Sequence, residues 1–234
     1  MNNEMNTPMA YQYGSQNFDP NAVDLERVVL SSIVMDCSPS IRDYVGDLNR
    51  VYRQYILREQ DAHTSEEAML QLITFSSDVK IEHGFKPVNG IDPNDIQFIP
   101  RDGMTAGYDA LKVALDSMME YGKQLEQVGT EVVYNIAIVT DGQFNDGIDR
   151  DGLSVRPILD SIRSNERLYG KFTITMSGIN KDFESYFREA QKNIGLRDDA
   201  LLMYDEDGAG IHDMMSGISK SQSSSSSGNQ TITF

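Results

Sequence analysis

Ile33-Val34-Met35-Asp36-Cys37-Ser38-Pro39-Ser40 decides how this 234-residue chain is read. An apolar run meets three oxygen-bearing side chains at alternate positions, Asp36, Ser38 and Ser40, with the turn former Pro39 among them. Together with Val28-Val29-Leu30, the residues before Asp36 are too continuously apolar for a strand with one wet face. Such a run predicts a central strand of a sheet covered on both sides. After Ser40, apolar residues recur at Ile41, Val45, Leu48, Tyr52, Tyr55 and Ile56, the spacing of an amphipathic helix. Asp36, Ser38 and Ser40 therefore belong to a strand-to-helix loop at the carboxyl end of a strand, the edge where open α/β sheets bind ligands.

The rest of the chain alternates strand and helix patterns outward from this point. Residues 25–36 read as the first strand and 41–60 as the first helix, followed by a polar break at Thr64-Ser65-Glu66-Glu67. Residues 68–75 and 79–85 are strands joined by the tight turn Ser76-Ser77-Asp78, which predicts an antiparallel hairpin with the third strand at the sheet edge. A long loop with Pro87, Pro93 and Pro100 leads to Asp102-Gly103-Met104-Thr105. A second helix follows on Leu111, Ala114, Leu115 and Met118, then a fourth strand over 132–139 that runs into Thr140-Asp141-Gly142. Residues 155–162 carry helical spacing with Pro157 in the first turn, where proline is tolerated. A fifth strand over 172–176 is expected to end at Ser177-Gly178. Phe183, Tyr186, Phe187 and Ala190 line a helix that stops near Gly195. A short strand over 200–204 precedes a last helix on Ile211, Met214, Met215 and Ile218. This order predicts a doubly wound α/β domain over 23–219. Its sheet has about six mostly parallel strands, one antiparallel edge strand, and helices on both faces. Residues 1–22 and the serine-rich 220–234 are expected to be flexible, too polar to offset ordering entropy. The alternative for the first arm is that Tyr11, Tyr13 and Phe18 anchor it on a neighbouring subunit.

The formal charge is −16, from 20 Lys and Arg against 36 Asp and Glu. That argues against nucleic-acid binding and against docking on anionic membranes. No apolar run approaches the ~18 residues of a membrane span. Residues 1–6 lack the basic and apolar regions of a secretory signal. A single cysteine, Cys37, allows no internal disulfide. A cytoplasmic setting is expected, or a virion assembled in a cytoplasm.

Asp-x-Ser-x-Ser at a strand end resembles the metal-ion-dependent adhesion site of von Willebrand factor A domains. Gly103-Met104-Thr105 before a helix, and the strand Asn135 to Thr140 ending in Thr-Asp-Gly, match that family's later metal loops in type, order and spacing. The resemblance spans roughly residues 25–220. It implies a metal held by Asp36, Ser38, Ser40, Thr105 and Asp141. Ser38, Ser40 and sometimes Thr105 would touch the ion, with Asp36 and Asp141 often acting through water. It further implies that an Asp or Glu of a protein partner completes the shell. Cys37 and Pro39 depart from the family, which most often has Thr or Ser, and Gly, at these non-ligand positions. Proline stiffens the loop. Asp47-Leu48-Asn49, Ile73-Thr74-Phe75-Ser76 and the serine repeats also resemble the tellurium-resistance-associated subgroup.

The chemistry of those side chains agrees with a hard dication. Mg²⁺ takes oxygen ligands and is usually held by one or two carboxylates while keeping some waters. Mn²⁺ and Ca²⁺ also suit such donors. No histidine or second cysteine lies in these loops, which argues against zinc and copper. Each residue also has a structural use: Ser40 and Thr105 as helix caps, Asp141-Gly142 as a turn pair. An enzyme is not expected. A cysteine phosphatase loop needs five residues between Cys and Arg, but Cys37 and Arg42 are separated by four, and the required position holds Asp43. His63, His83 and His212 are remote in sequence from the loops. The leading expectation is thus a Mg²⁺-dependent protein-binding module. The alternative is a structural or assembly protein, self-associating and using the fold as a scaffold.

Overall fold

The apolar run around Ile33 becomes the strand on which the sheet is built. β1 (Arg27–Asp36) is buried from Val28 onward, and its side chains divide between two faces as strand geometry requires. Val28, Leu30 and Val34 enter one hydrophobic cluster, Ile33 and Met35 the other. This architecture comes from a computed structural model that describes residues 25–62, 67–168, 170–205 and 207–226. The arm 1–22, the break residues Thr64-Ser65-Glu66 and the tail from 227 lie outside the described residues.

β2 (Ala68–Phe75) and β4 (Glu131–Thr140) flank β1, both parallel to it. β5 (Phe172–Ile179) and β6 (Leu201–Tyr204) continue parallel beyond β4. β3 (Val79–Pro87) returns antiparallel beside β2, giving the order β3-β2-β1-β4-β5-β6. The helices are α1 (Val45–Asp61), α2 (Gly107–Gln127), α3 (Arg156–Ser164), α4 (Glu184–Ile194) and α5 (Gly208–Ser226). α1 and α5 cover one face through Leu48, Tyr52, Ile56, Ile211 and Met214. α2, α3 and α4 cover the other through Leu111, Leu115, Leu159, Ile162 and Phe187. At ~1.5–3 kcal/mol for each fully buried apolar side chain, these two layers dominate the folding energy. No helix among the described residues is long and apolar enough to cross a membrane.

Three boundaries differ from the sequence expectation. Pro39 opens a 3₁₀ turn, Pro39–Asp43, so α1 starts at Val45 rather than at 41. The fixed φ of proline suits such a tight turn. β5 does not stop at Ser177-Gly178 but runs to Ile179. Gly178 is there for packing, since a Cβ on it would lie 2.7 Å from Met203 Sδ and from the Phe187 ring. α5 extends to Ser226, into the stretch read as tail; serine propagates a helix already held by its packed first turns.

Gly122 allows a close approach of a different kind. A Cβ on this α2 residue would lie 2.2 Å from the Tyr134 hydroxyl. The Tyr134 ring is 1% exposed and stacks on Phe172 at 4.2 Å with 9° between planes. Alanine gains up to ~1 kcal/mol of helix propensity over glycine. Here that gain is outweighed by overpacking, and Gly122→Ala is expected to lose about 1–3 kcal/mol. Urea unfolding should show a lower midpoint with an unchanged slope.

Candidate metal centre

The sheet order reverses between β1 and β4, because β1 leads onward to β2 on one side while β4 leads to β5 on the other. At such a switch point the loops diverge and leave a crevice. Asp36 ends β1, and Thr140 ends β4 beside it. Asp36 is 1% exposed and both its oxygens are engaged. Oδ1 accepts from the Ser38 amide at 2.7 Å, and Oδ2 accepts from the Thr140 hydroxyl at 2.7 Å. The Ser38 and Ser40 hydroxyls are 2.9 Å apart, and Ser40 donates to Asp141 Oδ1 at 2.8 Å. Since the single Ser40 proton goes to Asp141, Ser38 is the donor to Ser40. The Tyr44 hydroxyl donates to Asp141 Oδ2. Asp36, Ser38, Ser40 and Asp141 thus form one hydrogen-bonded group.

Thr105 lies on the same edge, but its hydrogen bonds are backbone bonds to the loop after β4 and none of them reaches that group. The Thr105 amide donates to Asn145 Oδ1 at 3.1 Å, and its carbonyl accepts from the Asn145 and Asp146 amides. On its other side, the Ala106 amide donates to the Ser76 carbonyl at 2.7 Å and the Met104 amide to Ser77 Oγ at 2.7 Å. Ser76 Oγ donates to the Asp102 carbonyl at 3.0 Å, and Ser77 Oγ donates to Asp146. Gly103 has φ +121°, and a Cβ there would meet Ser77 Oγ at 2.5 Å. The β2–β3 turn is therefore the bracket of the Thr105 loop. Neither expected cap is made. The residues preceding the 3₁₀ turn, α1 and α2 are Ser38, Tyr44 and Ala106, and none forms a side-chain cap bond. The Ser40 hydroxyl is spent on Asp141 instead.

Burial pushes the Asp36 carboxyl up to about 6, and the nearby Asp141 charge pushes the same way. The bonds from Ser38 and Thr140 work against both. Burial also raises Asp141, with the Tyr44 and Ser40 bonds opposing. No ion pair among the described residues involves either carboxylate. Two buried acids that repel each other, without a cationic side chain between them, fit a group that brings positive charge. Among the described residues no three His, Cys, Asp or Glu side chains converge on a point. The donor set is two carboxylates and several hydroxyls, as a hard dication prefers. Cys37 is 1% exposed, and burial pushes its thiol up to about 12. It stays un-ionised at neutral pH, the opposite of what a nucleophile requires. Beside the group opens a cleft of about 380 Å³ lined by Ser40, Tyr44, Asp141, Asn180, Phe183 and Asp207, among others.

The sequence points to Asp36, Ser38, Ser40, Thr105 and Asp141 as candidate donors but not to Tyr44, Ser76, Ser77 or Asn145. Tyr44 carried one faint signal, its place four residues after Ser40, which is one helical turn.

The chain matches no family model and no curated protein. Solved structures do match it. A von Willebrand factor type A protein from Catenulispora acidiphila superposes with a TM-score of 0.51 at 14% identity, over 84% of this chain and 43% of that one. The fold is a von Willebrand factor A fold. Proximal thread matrix protein 1 of the mussel byssus, in a structure with a zinc-occupied adhesion-site motif, gives 0.51 at 15% identity over 83% and 46%. The pilus adhesin SpaC of Lactobacillus rhamnosus GG in its open conformation gives 0.61 at 13% over 86% and 30%. The chain spans less than two thirds of the length of each of these structures. In this A-domain fold the five candidate residues, Asp36, Ser38, Ser40, Thr105 and Asp141, stand at the end of β1 and on the loops after β1, before α2 and after β4, at the carboxyl edge of the sheet.

Proposed function

We propose that this chain is a protein-binding module that works through a divalent cation, with Mg²⁺ as the ion and an acidic side chain of the partner as its last ligand. The observation that carries this reading is the pair of buried carboxylates, Asp36 and Asp141, linked by serine hydroxyls and facing no cationic side chain among the described residues. Bound there, the ion would supply a positive charge and a site for an incoming oxygen. Ser38, Ser40 and Thr105 would offer neutral oxygens, while Asp36 and Asp141 offset the charge. Mn²⁺ and Ca²⁺ suit the same donors.

The surrounding charge gives the arrangement its selectivity. At −16, the protein repels an acidic partner everywhere except at the ion. A carboxylate that replaces a metal-bound water gains a bond at one fixed point, and misplaced contacts are penalised. Native mass spectrometry of the protein purified from its source, in Mg²⁺ and in chelator, tests the reading. A complex is expected in Mg²⁺ and not in chelator. It should be lost in Asp141→Ala and Ser38→Ala, and weakened in Thr105→Ala. A partner retained equally in chelator, or one that tolerates replacement of every interfacial Asp and Glu, would overturn it.

A further inference from the structure

Resting on that metal-site reading, we infer that Tyr44 is a positioning residue of the centre: its hydroxyl holds Asp141 so that Oδ1 alone is presented to Ser40 and the ion. Both oxygens of Asp141 are bonded to the segment between β1 and α1, Oδ1 to Ser40 and Oδ2 to Tyr44. The two bonds are not equivalent. Ser40 is exposed, and its hydroxyl turns about a single torsion. When its oxygen lone pairs swing to a cation, its proton need no longer point at Asp141. Tyr44 cannot turn away in that manner. Its ring is 8% exposed and packed in the cluster under α1 and α5. Its backbone is fixed by two bonds, from its own amide to the Ile41 carbonyl at 3.1 Å and from the Leu48 amide to its carbonyl at 3.0 Å. The Tyr44 bond is therefore the one that persists once an ion is present. With Oδ2 occupied by the phenol, Asp141 has one oxygen left for the ion or its waters. Groups that hydrogen-bond a metal-ligating side chain orient it and set its basicity.

The test uses the full chain and Mn²⁺ alone, with free ion counted by its paramagnetic resonance signal. Tyr44→Phe removes one oxygen and keeps the ring. Its Mn²⁺ dissociation constant is expected to rise by about tenfold or more, while in chelator it still melts cooperatively, below the wild type by no more than one lost hydrogen bond to Asp141 explains. Tyr52→Phe is the control. Tyr52 is buried in the same cluster, and its hydroxyl has no hydrogen-bond partner among the described residues. Its removal should leave Mn²⁺ affinity unchanged. A second measurement needs no variant. Saturating Mg²⁺ should perturb a tyrosine in the ultraviolet difference spectrum of the wild type, because the phenol sits on a carboxylate whose charge the ion offsets. That signal should survive in Tyr52→Phe and vanish in Tyr44→Phe. Wild-type affinity in Tyr44→Phe would overturn the inference. So would an equal loss in Tyr52→Phe, or a silent wild-type difference spectrum. Failure of the wild type to bind Mn²⁺ at all would instead remove the metal reading, and this inference with it.

Discussion

Mg²⁺ at about a hundred times its dissociation constant is expected to stabilise the wild-type chain by about 2.7 kcal/mol over the same protein in chelator. For a chain of this size the gain corresponds to roughly 5–10 °C in melting temperature. The cause is the pair of buried carboxylates. Asp36 is 1% exposed and Asp141 4% exposed, and the charge of the second opposes ionisation of the first. A dication relieves that repulsion in the native state, and an unfolded chain offers no such pair at close range. Asp36→Ala removes one of the two charges and the oxygens that fix Ser38 and Thr140. Its melting curves in Mg²⁺ and chelator should coincide. Equal shifts in both proteins would place the ion elsewhere on the acidic surface. Melting followed by circular dichroism, with and without chelator, decides the matter.

The second large effect is on pH dependence. Burial first, and then the Asp141 charge, raises the Asp36 carboxyl from its ordinary 3.8 to about 6. Between those values the native state holds a proton that the unfolded state has released. The metal-free protein should therefore lose stability as pH rises from about 4 to about 6, and level off above. At about 1.4 kcal/mol for each tenfold change in proton affinity, the loss is on the order of 3 kcal/mol. Other acids pull in the opposite sense. Burial alone would raise Asp149, but bonds from Ser154, Asp151 and Leu153 hold it below its ordinary value. The quantity to follow is therefore the difference between Mg²⁺ and chelator at each pH. That difference should widen from about pH 4 to about pH 6 in the wild type, and stay flat in Asp36→Ala. A gap that does not change with pH would mean that Asp36 is already ionised at pH 4.

The parts of the site that could be read in the sequence are those with a local pattern. The run into Asp36 shows burial by continuity, and Asp36, Ser38 and Ser40 show a loop by alternation and Pro39. The β2–β3 hairpin and its edge position follow from a three-residue turn. What could not be read is whatever depends on distant partners. Ser76 and Ser77 look like ordinary turn residues, yet from the β2–β3 turn they bracket the Thr105 loop. Asn145 looks like part of a polar loop, yet it clamps the Thr105 backbone across 40 positions. Gly178 carries the usual sign of a strand end, but its missing Cβ makes room for Met203 and Phe187. In each case the residue type is common to loops, and only the sheet order says what lies beside it. Helix caps failed for a related reason. A hydroxyl at a helix start has several possible acceptors, and at Ser40 the Asp141 carboxylate is the one bonded.

The Thr140–Asp36 and Ser40–Asp141 bonds join residues 104 and 101 positions apart. A cation that needs both ends of that span finds nothing to hold until β1 and β4 lie side by side. In the proposed reading, ion capture would thus come after the long-range pairing of β1 with β4 in the folding reaction. Stabilisation gained after the transition state appears as slower unfolding, with little change in the folding rate. Mg²⁺ would then act as a latch on the finished domain. It would lengthen the life of the native state, and with it resistance to proteases that cut only opened chains, without helping a newly made chain to find its fold.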